Sequence, residues 1–467
     1  MDRRHVLALS SALLSGAIAG CLDRAPAASP TDDEGDPDDG TDDPDENGAP
    51  DDEPGIDPDL DDETLSALVA ATNGFAMDLF DRLRDDDETA NLFVSPISIS
   101  IALAMTYAGA RGRTREEMGD VLRFGADDRL ADDALHEAFA TIQAELNERS
   151  DIDPDDLGDH YDEDDEPVPF ELNVVNAVWG LEEYPFEASY LDLLETYYGG
   201  GLREVDFVSD PDGSRQRINE WVADETNDRI DELLPEGSID DLTRLVLTNA
   251  VYFLANWAMP FEEANTDDGE FTAIDGTTHT VAMMRHGEEQ LPYADVDGTQ
   301  ALELPYVGNE VSMLLILPPE GEFEEYEATF DDGTIGEILD ALEPREGSVE
   351  LPRFEFDSGV GLGDVLEAMG MVDAFDPNEA DFSGMADLEA AGENLFVDGV
   401  YHDTYVAVDE EGTEAAAATG VVVRAESAPL DPFEFVADRP FLFAIRDRPT
   451  DTLLFVGRAV DPAGWEE

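Results

Sequence analysis

Residues 410–426 read Glu410-Glu411-Gly412-Thr413-Glu414-Ala415-Ala416-Ala417-Ala418-Thr419-Gly420-Val421-Val422-Val423-Arg424-Ala425-Glu426, and no other stretch bears so directly on the architecture. Thr413, Ala415, Ala417, Thr419, Val421, Val423 and Ala425 share one parity, and all are small or β-branched. Every charge after Gly412 (Glu414, Arg424 and Glu426) falls on the other parity. Alternate side chains of a strand point to opposite faces, so the segment suits a strand with a slim inner face and a charged outer one. Small inner residues are what a strand entering an already packed sheet requires. One short capped helix, opened by Thr413 and closed by Gly420, is the alternative. Local pattern does not separate the two, and a mobile segment need not choose.

The wider sequence is more specific. Glu410 to Thr419 meet the form E-E-G-T-x-A-A-A-A-T position by position. N-L-F-V-S-P-I-S-I at 91–99 is followed by A-L-A-M and G-A-R-G-R-T-R-E-E-M. I-N-E-W-V-A-D-E-T-N-D-R-I stands at 218–230, then L-L-P-E-G-S-I-D-D-L-T-R-L-V-L-T-N-A-V-Y-F at 233–253 and N-W-A-M-P-F at 256–261. F-V-A-D-R-P-F-L-F-A-I-R at 435–446 and L-L-F-V-G-R-A-V-D-P at 453–462 close the series. With these blocks in this order, the chain resembles the serpins over about residues 63–464.

The resemblance implies an α+β fold of three β-sheets with eight to nine helices in one domain and an exposed reactive loop. It implies an inhibitor of serine endopeptidases and no enzyme. In that family a protease cuts the loop and forms an acyl-enzyme. The cut loop then inserts into the central sheet and traps the ester by deforming the protease. Glu410, Glu411, Gly412, Thr413, Ala415, Ala416, Ala417, Ala418 and Thr419 match the loop hinge. The family's spacing from Thr413 places the scissile bond at Glu426–Ser427, with Arg424–Ala425 as rival. Glu426 suits a glutamyl-specific target, Arg424 a trypsin-like one, and Val423 or Ala425 an elastase- or subtilisin-like one. The shared parity of Arg424 and Glu426 fits equally well with charges that merely keep a loop soluble. Ser95, Ser98, Asn249 and His402 match positions that hold the central strands together below the opening point. Trp257 matches the point where the loop first enters, and Arg353 and Glu410 match a charged pair there. An exposed pair of that kind contributes little in molar salt. A non-inhibitory serpin acting as a surface binding or scaffold protein is the alternative function. Such members usually carry bulky or charged hinge residues, whereas this hinge is intact. Inhibition of cysteine proteases stays open as a variant.

Composition narrows the setting. The 467 residues suffice for a full core. The formal net charge is −91, from 115 acidic and 24 basic residues, and every basic residue is Arg. Such charge repels itself at low ionic strength and is tolerable where salt shortens the Debye length to a few ångströms. The composition therefore reads as adaptation to molar salt, as in extreme halophiles, and the chain resembles a haloarchaeal-type lipoprotein member of the serpins. Long apolar runs such as Leu245–Leu254 and Val311–Leu317 oppose disorder of the body. The sequence has no basic patch for phosphates, so neither nucleic acid nor a polyanion cofactor is expected.

At the amino terminus, Arg3-Arg4 precedes an apolar stretch of signal-peptide length, suggesting twin-arginine export over residues 1–20, although Asp2 makes the motif imperfect. Ile18-Ala19-Gly20-Cys21 has the form of a lipobox, and Cys21 is the only cysteine. Acylation of Cys21 would hold the exported protein at the cell surface; plain cleavage nearby would release it. Residues 21–62 then read as a lipid-bearing cysteine on an acidic, self-repelling tether. The Asp43–Gly48 region imitates a calcium loop but has Pro54 where the bidentate Glu belongs.

In the body, Asp61–Leu83 has helical periodicity, and Ser98–Ala110 is an apolar helix begun by a Ser-Pro pair. Residues 149–169 read as an acidic surface insertion. Strands are expected at Leu172–Gly180, Leu245–Phe253, Ala301–Tyr306, Val311–Leu317 and Tyr401–Val408, and in the two closing segments. Helices lead and strands accumulate, without a βαβ repeat, which is the α+β pattern. The sequence contains no G-x-S-x-G elbow and no H-E-x-x-H pair, and Gly359–Gly363 lacks dinucleotide-binding spacing. No cofactor or metal is expected, and the expected state is a monomer.

Overall fold

A computed structural model describes residues 60–131, 133–149, 171–200, 202–226, 228–230, 232–413 and 432–465. Cys21, the acidic insertion beyond Arg149, the loop residues Ala415 to Thr419, and Arg424, Ala425, Glu426 and Ser427 lie outside the described residues.

Helix α1 (Asp62–Asp86) begins where Asp61 accepts the Thr64 amide as an N-cap at 2.8 Å. Its Leu68, Phe75 and Leu79 recur on one face and are fully buried. Helix α2 (Pro96–Gly109) starts at its proline and is buried nearly all round, as its unbroken apolar sequence requires. Helices α3 (Gly112–Val121), α4 (Asp133–Glu148), α5 (Ala188–Tyr198) and α6 (Pro211–Glu225) follow. Four further helices, Phe323–Glu327, Asp332–Ala341, Gly363–Met369 and Leu388–Ala391, bring the described α-helices to ten. The expected eight to nine are exceeded because some of these are barely one turn.

The strands are β1 (Leu92–Val94), β2 (Glu171–Leu181), β3 (Arg203–Val205), β4 (Leu245–Asn256), β5 (Asp267–Thr272), β6 (Thr278–Val296), β7 (Thr299–Pro305), β8 (Val311–Leu317), β9 (Glu343–Pro352), β10 (Phe354–Gly361), β11 (Gly399–Val408), β12 (Gly412–Thr413), β13 (Phe433–Val436), β14 (Phe441–Asp447) and β15 (Thr452–Ala459). Among the described residues they form two hydrogen-bonded networks rather than three separate sheets. The larger runs β1-β15-β14-β8-β7-β6-β9-β13, with β5 on β6. Its continuity comes from β6 and β9, which pair across a register shift between His286 and Glu289. A bulge of this kind bends a strand and lets one strand serve two sheet directions.

The smaller network, β10-β11-β12-β4-β2-β3, carries the site. It is mixed: β4 runs antiparallel to β2 and parallel to β11. The inner faces of β4 and β11 pack on the main core through Leu247, Val251, Val406 and Val408. On the outer face, α6 and the segment after it cover Ala250 with Val222, Ile230 and Leu233.

Candidate functional site

Strands β4 and β11 are hydrogen-bonded neighbours over only part of their length. Gly399–Thr404 pair with Val246–Val251. Beyond that point the strands part, and β12 stands between them. Thr413 pairs with Val408 on one side and Ala255 on the other, while Gly412 pairs with Asn256. Gly412 and Thr413 of the 410–426 stretch are therefore strand, and they lie inside the sheet.

Each residue of this wedge is held by a stated contact. The Asp409 carboxylate accepts the amides of Glu411 and Gly412 at 2.9 and 3.1 Å, closing a tight turn after β11. A Cβ on Gly412 would lie 2.1 Å from the Ala255 carbonyl oxygen, so only glycine fits. The Glu411 carbonyl accepts from the Trp257 amide at 2.9 Å and from Asn256 Nδ2 at 3.1 Å. Trp257 Nε1 donates to the Asp409 carbonyl at 3.0 Å, and its ring stacks on Tyr306 at 4.6 Å. The Tyr306 hydroxyl meets Thr413 Oγ1 at 2.9 Å; both residues are buried.

Glu410 is only 3 % exposed, although the sequence suggested an exposed ion pair. Its carboxylate takes a hydrogen bond from Thr266 Oγ1 at 2.6 Å and pairs with Arg353, whose own side chain is half exposed. Burial pushes the Glu410 carboxyl up, but the Thr266 and Arg353 hydrogen bonds outweigh it and leave it below its ordinary value. One end of this pair is thus shielded from salt and the other is not.

Below the wedge, Asn249 on β4 and His402 on β11 are directly opposite each other. The Ser95 amide donates to His402 Nε2 at 3.1 Å, so that nitrogen carries the lone pair. His402 Nδ1 then holds the proton and donates it to Asn249 Oδ1. Asn249 Nδ2 in turn donates to Ser98 Oγ and to Asn176 Oδ1. Asn176 Nδ2 returns a bond to the Ser98 carbonyl at 3.2 Å, and Ser95 Oγ donates to the Leu454 carbonyl at 2.8 Å. Burial pushes His402 down to about 3, which keeps the ring neutral and the donor–acceptor sequence intact. The chain of bonds ties β2, β4, β11, β15 and the start of α2 together.

Ser95, Ser98, Asn249 and His402 are therefore gathered in one buried cluster, and Trp257, Arg353, Glu410, Gly412 and Thr413 in another above it. Sequence inspection missed Tyr306, Asn176, Asp409, Asn256 and Thr266. Asn176 left one faint signal, a polar residue inside the apolar strand around Val174–Val178. Tyr306 left none, since its partner is 107 residues away in sequence.

Comparison with known proteins agrees with this geometry. The family model described as Serpin (serine protease inhibitor) matches residues 70–462. An uncharacterised serpin-like protein of Thermococcus kodakarensis is 41% identical over 398 residues, covering 85% of this chain and 86% of the relative. The leukocyte elastase inhibitor of Equus caballus is 36% identical over 408 residues, covering 85% of this chain and 100% of the relative. Uncleaved ovalbumin superposes with a TM-score of 0.73 at 30% identity, covering 85% of this chain and 100% of that one. The native thermophilic serpin tengpin gives 0.71 at 29%, covering 84% and 94%. With Gly412 and Thr413 seated between β4 and β11 and these matches along its body, the chain belongs to the serpin family.

Proposed function

We propose that the protein inhibits serine endopeptidases by loop cleavage, acyl-enzyme trapping and insertion of the cut loop between β4 and β11. The observation that carries this is the double pairing of β12. If its antiparallel register continues, Thr419 falls opposite both His402 and Asn249, and Ala415 and Ala417 fall on the inner face above it. The inserting strand would then replace the His402–Asn249 bond by contacts to the Thr419 hydroxyl, leaving no buried polar group without a partner. Relatives named leukocyte elastase inhibitor support protease inhibition as the general activity.

In the reaction, a protease serine oxygen attacks the Glu426 carbonyl and the Glu426–Ser427 bond breaks. A new amine is left on Ser427, and the ester remains on Glu426. Insertion, favoured by burial of the small inner face, then carries the ester away from the protease's water-activating geometry. The spring is kinetic: Gly412 and Thr413 stand between β4 and β11, and below them the two strands pair directly, so insertion must part them.

The test is incubation in molar KCl with subtilisin-like, trypsin-like and glutamyl-specific proteases, followed by denaturing gels and the mass of the released carboxy-terminal peptide. A denaturant-stable complex with a peptide beginning at Ser427 is expected; one beginning at Ala425 would move the bond to Arg424. Clean cleavage without complex would sink the trap and leave a binding or scaffold serpin.

The setting is part of the same reading. Residues 1–20 act as an export signal and 21–62 as a tether acylated at Cys21, with the inhibitory domain at 63–464. The net charge of −91 without lysine supports work in molar salt. The intact mass of membrane-fraction protein decides acylation: a diacylglyceryl-sized increment on Cys21 is expected, and its absence removes the anchor.

A further inference from the structure

The outer face of the β4–β11 junction carries a titratable group that the trapping reaction does not use. Asp403 follows the gate histidine on β11, and its partners on the neighbouring strands are Gly359 of β10 and Ala250 of β4. Its carboxylate leans over Gly359: a Cβ there would stand 3.3 Å from Asp403 Oδ2. On the same face, Val222 of α6 with Ile230 and Leu233 form a cover that packs on Ala250 of β4, the partner of Asp403, and on Tyr401 of β11. One cover thus spans both strands that must separate.

The groups around Asp403 are few. From β10 come Asp357 and Glu355, and Glu355 accepts the Tyr405 hydroxyl. From β11 itself come Tyr401 and Tyr405, and from the cover Arg229, whose guanidinium lies 5.6 Å from the centre of the Tyr405 ring. Opposite on β4 stands Ala250. Among the described residues, no cation forms a salt bridge with Asp403. Burial, then the charge of Asp357, pushes the Asp403 carboxyl up to about 7.

We propose that Asp403 is a proton-operated latch on the β4–β11 junction, closed when its carboxyl is neutral and loosened when the carboxylates of Asp403 and Asp357 are both charged beside the cover. A charged carboxylate seeks hydration, and lifting the cover from Ala250 and Tyr401, its neighbours on the same face, gives it more. Lifting the cover exposes β4 and β11 together, at the line where the loop must enter. The sign follows from linkage. The native value lies above that of a hydrated aspartate, so ionisation favours the lifted form, and the closed form weakens as pH rises from about 4 to about 7. The consequence for trapping rests on the insertion mechanism proposed above: the cut loop inserts faster at neutral and alkaline pH than in mild acid. In the continued register Ala418 falls beside Asp403, so the incoming strand brings no side chain that blocks the carboxylate.

Amide hydrogen exchange of the full chain in molar KCl, read over peptides covering 228–234 and β11, tests the latch without any protease. The intrinsic pH dependence of exchange cancels in the ratio of wild type to Asp403→Asn at each pH. That ratio is expected to be near one at about pH 4, to rise between about pH 4 and about pH 7 and to level off at about tenfold above that, less than a fully buried carboxyl would give because Asp403 keeps some solvent contact. Asp357→Asn, at an exposed position, should end the rise at lower pH and make it smaller, because removing the repelling neighbour's charge lowers the Asp403 value in the closed form. A ratio constant with pH, whether one or not, overturns the proposal, as does an Asp357→Asn profile that coincides with wild type. Complex formation on the same samples separates the two claims. A pH-dependent ratio without complex leaves the latch standing and removes the trap, and the reverse removes only the latch.

Discussion

The same two strands, β4 and β11, are treated in opposite ways at their two ends. At the upper end they are parted by Gly412 and Thr413, which fit because one has no side chain and the other ends on a tyrosine hydroxyl. Six residues lower, Asn249 and His402 join them through a buried donor–acceptor chain anchored in α2 and β2. Shape admits the loop above, and polar satisfaction holds the strands together below. Steric fit tolerates small residues generally, whereas a buried hydrogen-bond chain can be replaced only by groups that restore every bond. This difference explains how a sheet can be open at one end and closed in the middle without coming apart.

The largest effect is expected where shape decides. Thr413→Arg places a long cation at a position that is 1 % exposed against Tyr306, so the hinge can no longer sit in the sheet. The protein should still be cleaved, but the yield of covalent complex on a denaturing gel should fall by roughly tenfold or more, since an unpaired buried charge costs several kcal/mol. Undiminished complex would show that insertion does not begin at β12.

Breaking the lower lock comes next. His402→Ala leaves the Ser95 amide without its acceptor and Asn249 Oδ1 without its donor, a loss of about 3 kcal/mol in denaturant unfolding. The pH dependence carries a sign. His402 lies at about 3 in the fold against an ordinary value of 6.5, so its neutral form is stabilising above pH 6.5 and that contribution is lost as pH falls toward 3. The stability gap between wild type and His402→Ala should therefore narrow on acidification from about pH 6.5; a gap that widens would mean the ring is charged in the fold.

A smaller effect is expected at the upper contact. Tyr306→Phe removes the Thr413 partner and keeps the stack on Trp257, costing about 1 kcal/mol and speeding amide exchange at Thr413. Smallest of all is Arg353→Ala. Half of that side chain faces solvent and Thr266 still bonds Glu410, so in molar salt the cost should be about 0.5 kcal/mol or less. A loss above that of Tyr306→Phe would mean that the buried carboxylate depends on Arg353 and not on Thr266.

Much of this was legible in the chain and some was not. The α1 periodicity from Leu65 to Leu83, the unbroken apolar run of α2 and the strand at Val311–Leu317 are local patterns, and the structure repeats them with nearly the same bounds. The separation into three sheets was blurred because β6 runs through a bulge, which composition does not advertise. The charged pair at the hinge was legible as a pair, yet burial of Glu410 depends on Thr266 and Phe261, which approach from a distant segment.

By itself the sequence determined the parity of the hinge, its lack of bulk and the large acidic charge, because each is a property of neighbouring residues or of their sum. Only the tertiary structure decided which two strands receive Gly412 and Thr413, that Tyr306 meets Thr413, that Asn176 completes the lock, and that Asp403 stands near Asp357 on the face the cover packs against. Those contacts join residues tens to hundreds of positions apart, and burial, which sets both their energy and their protonation, exists only once the chain has closed around them.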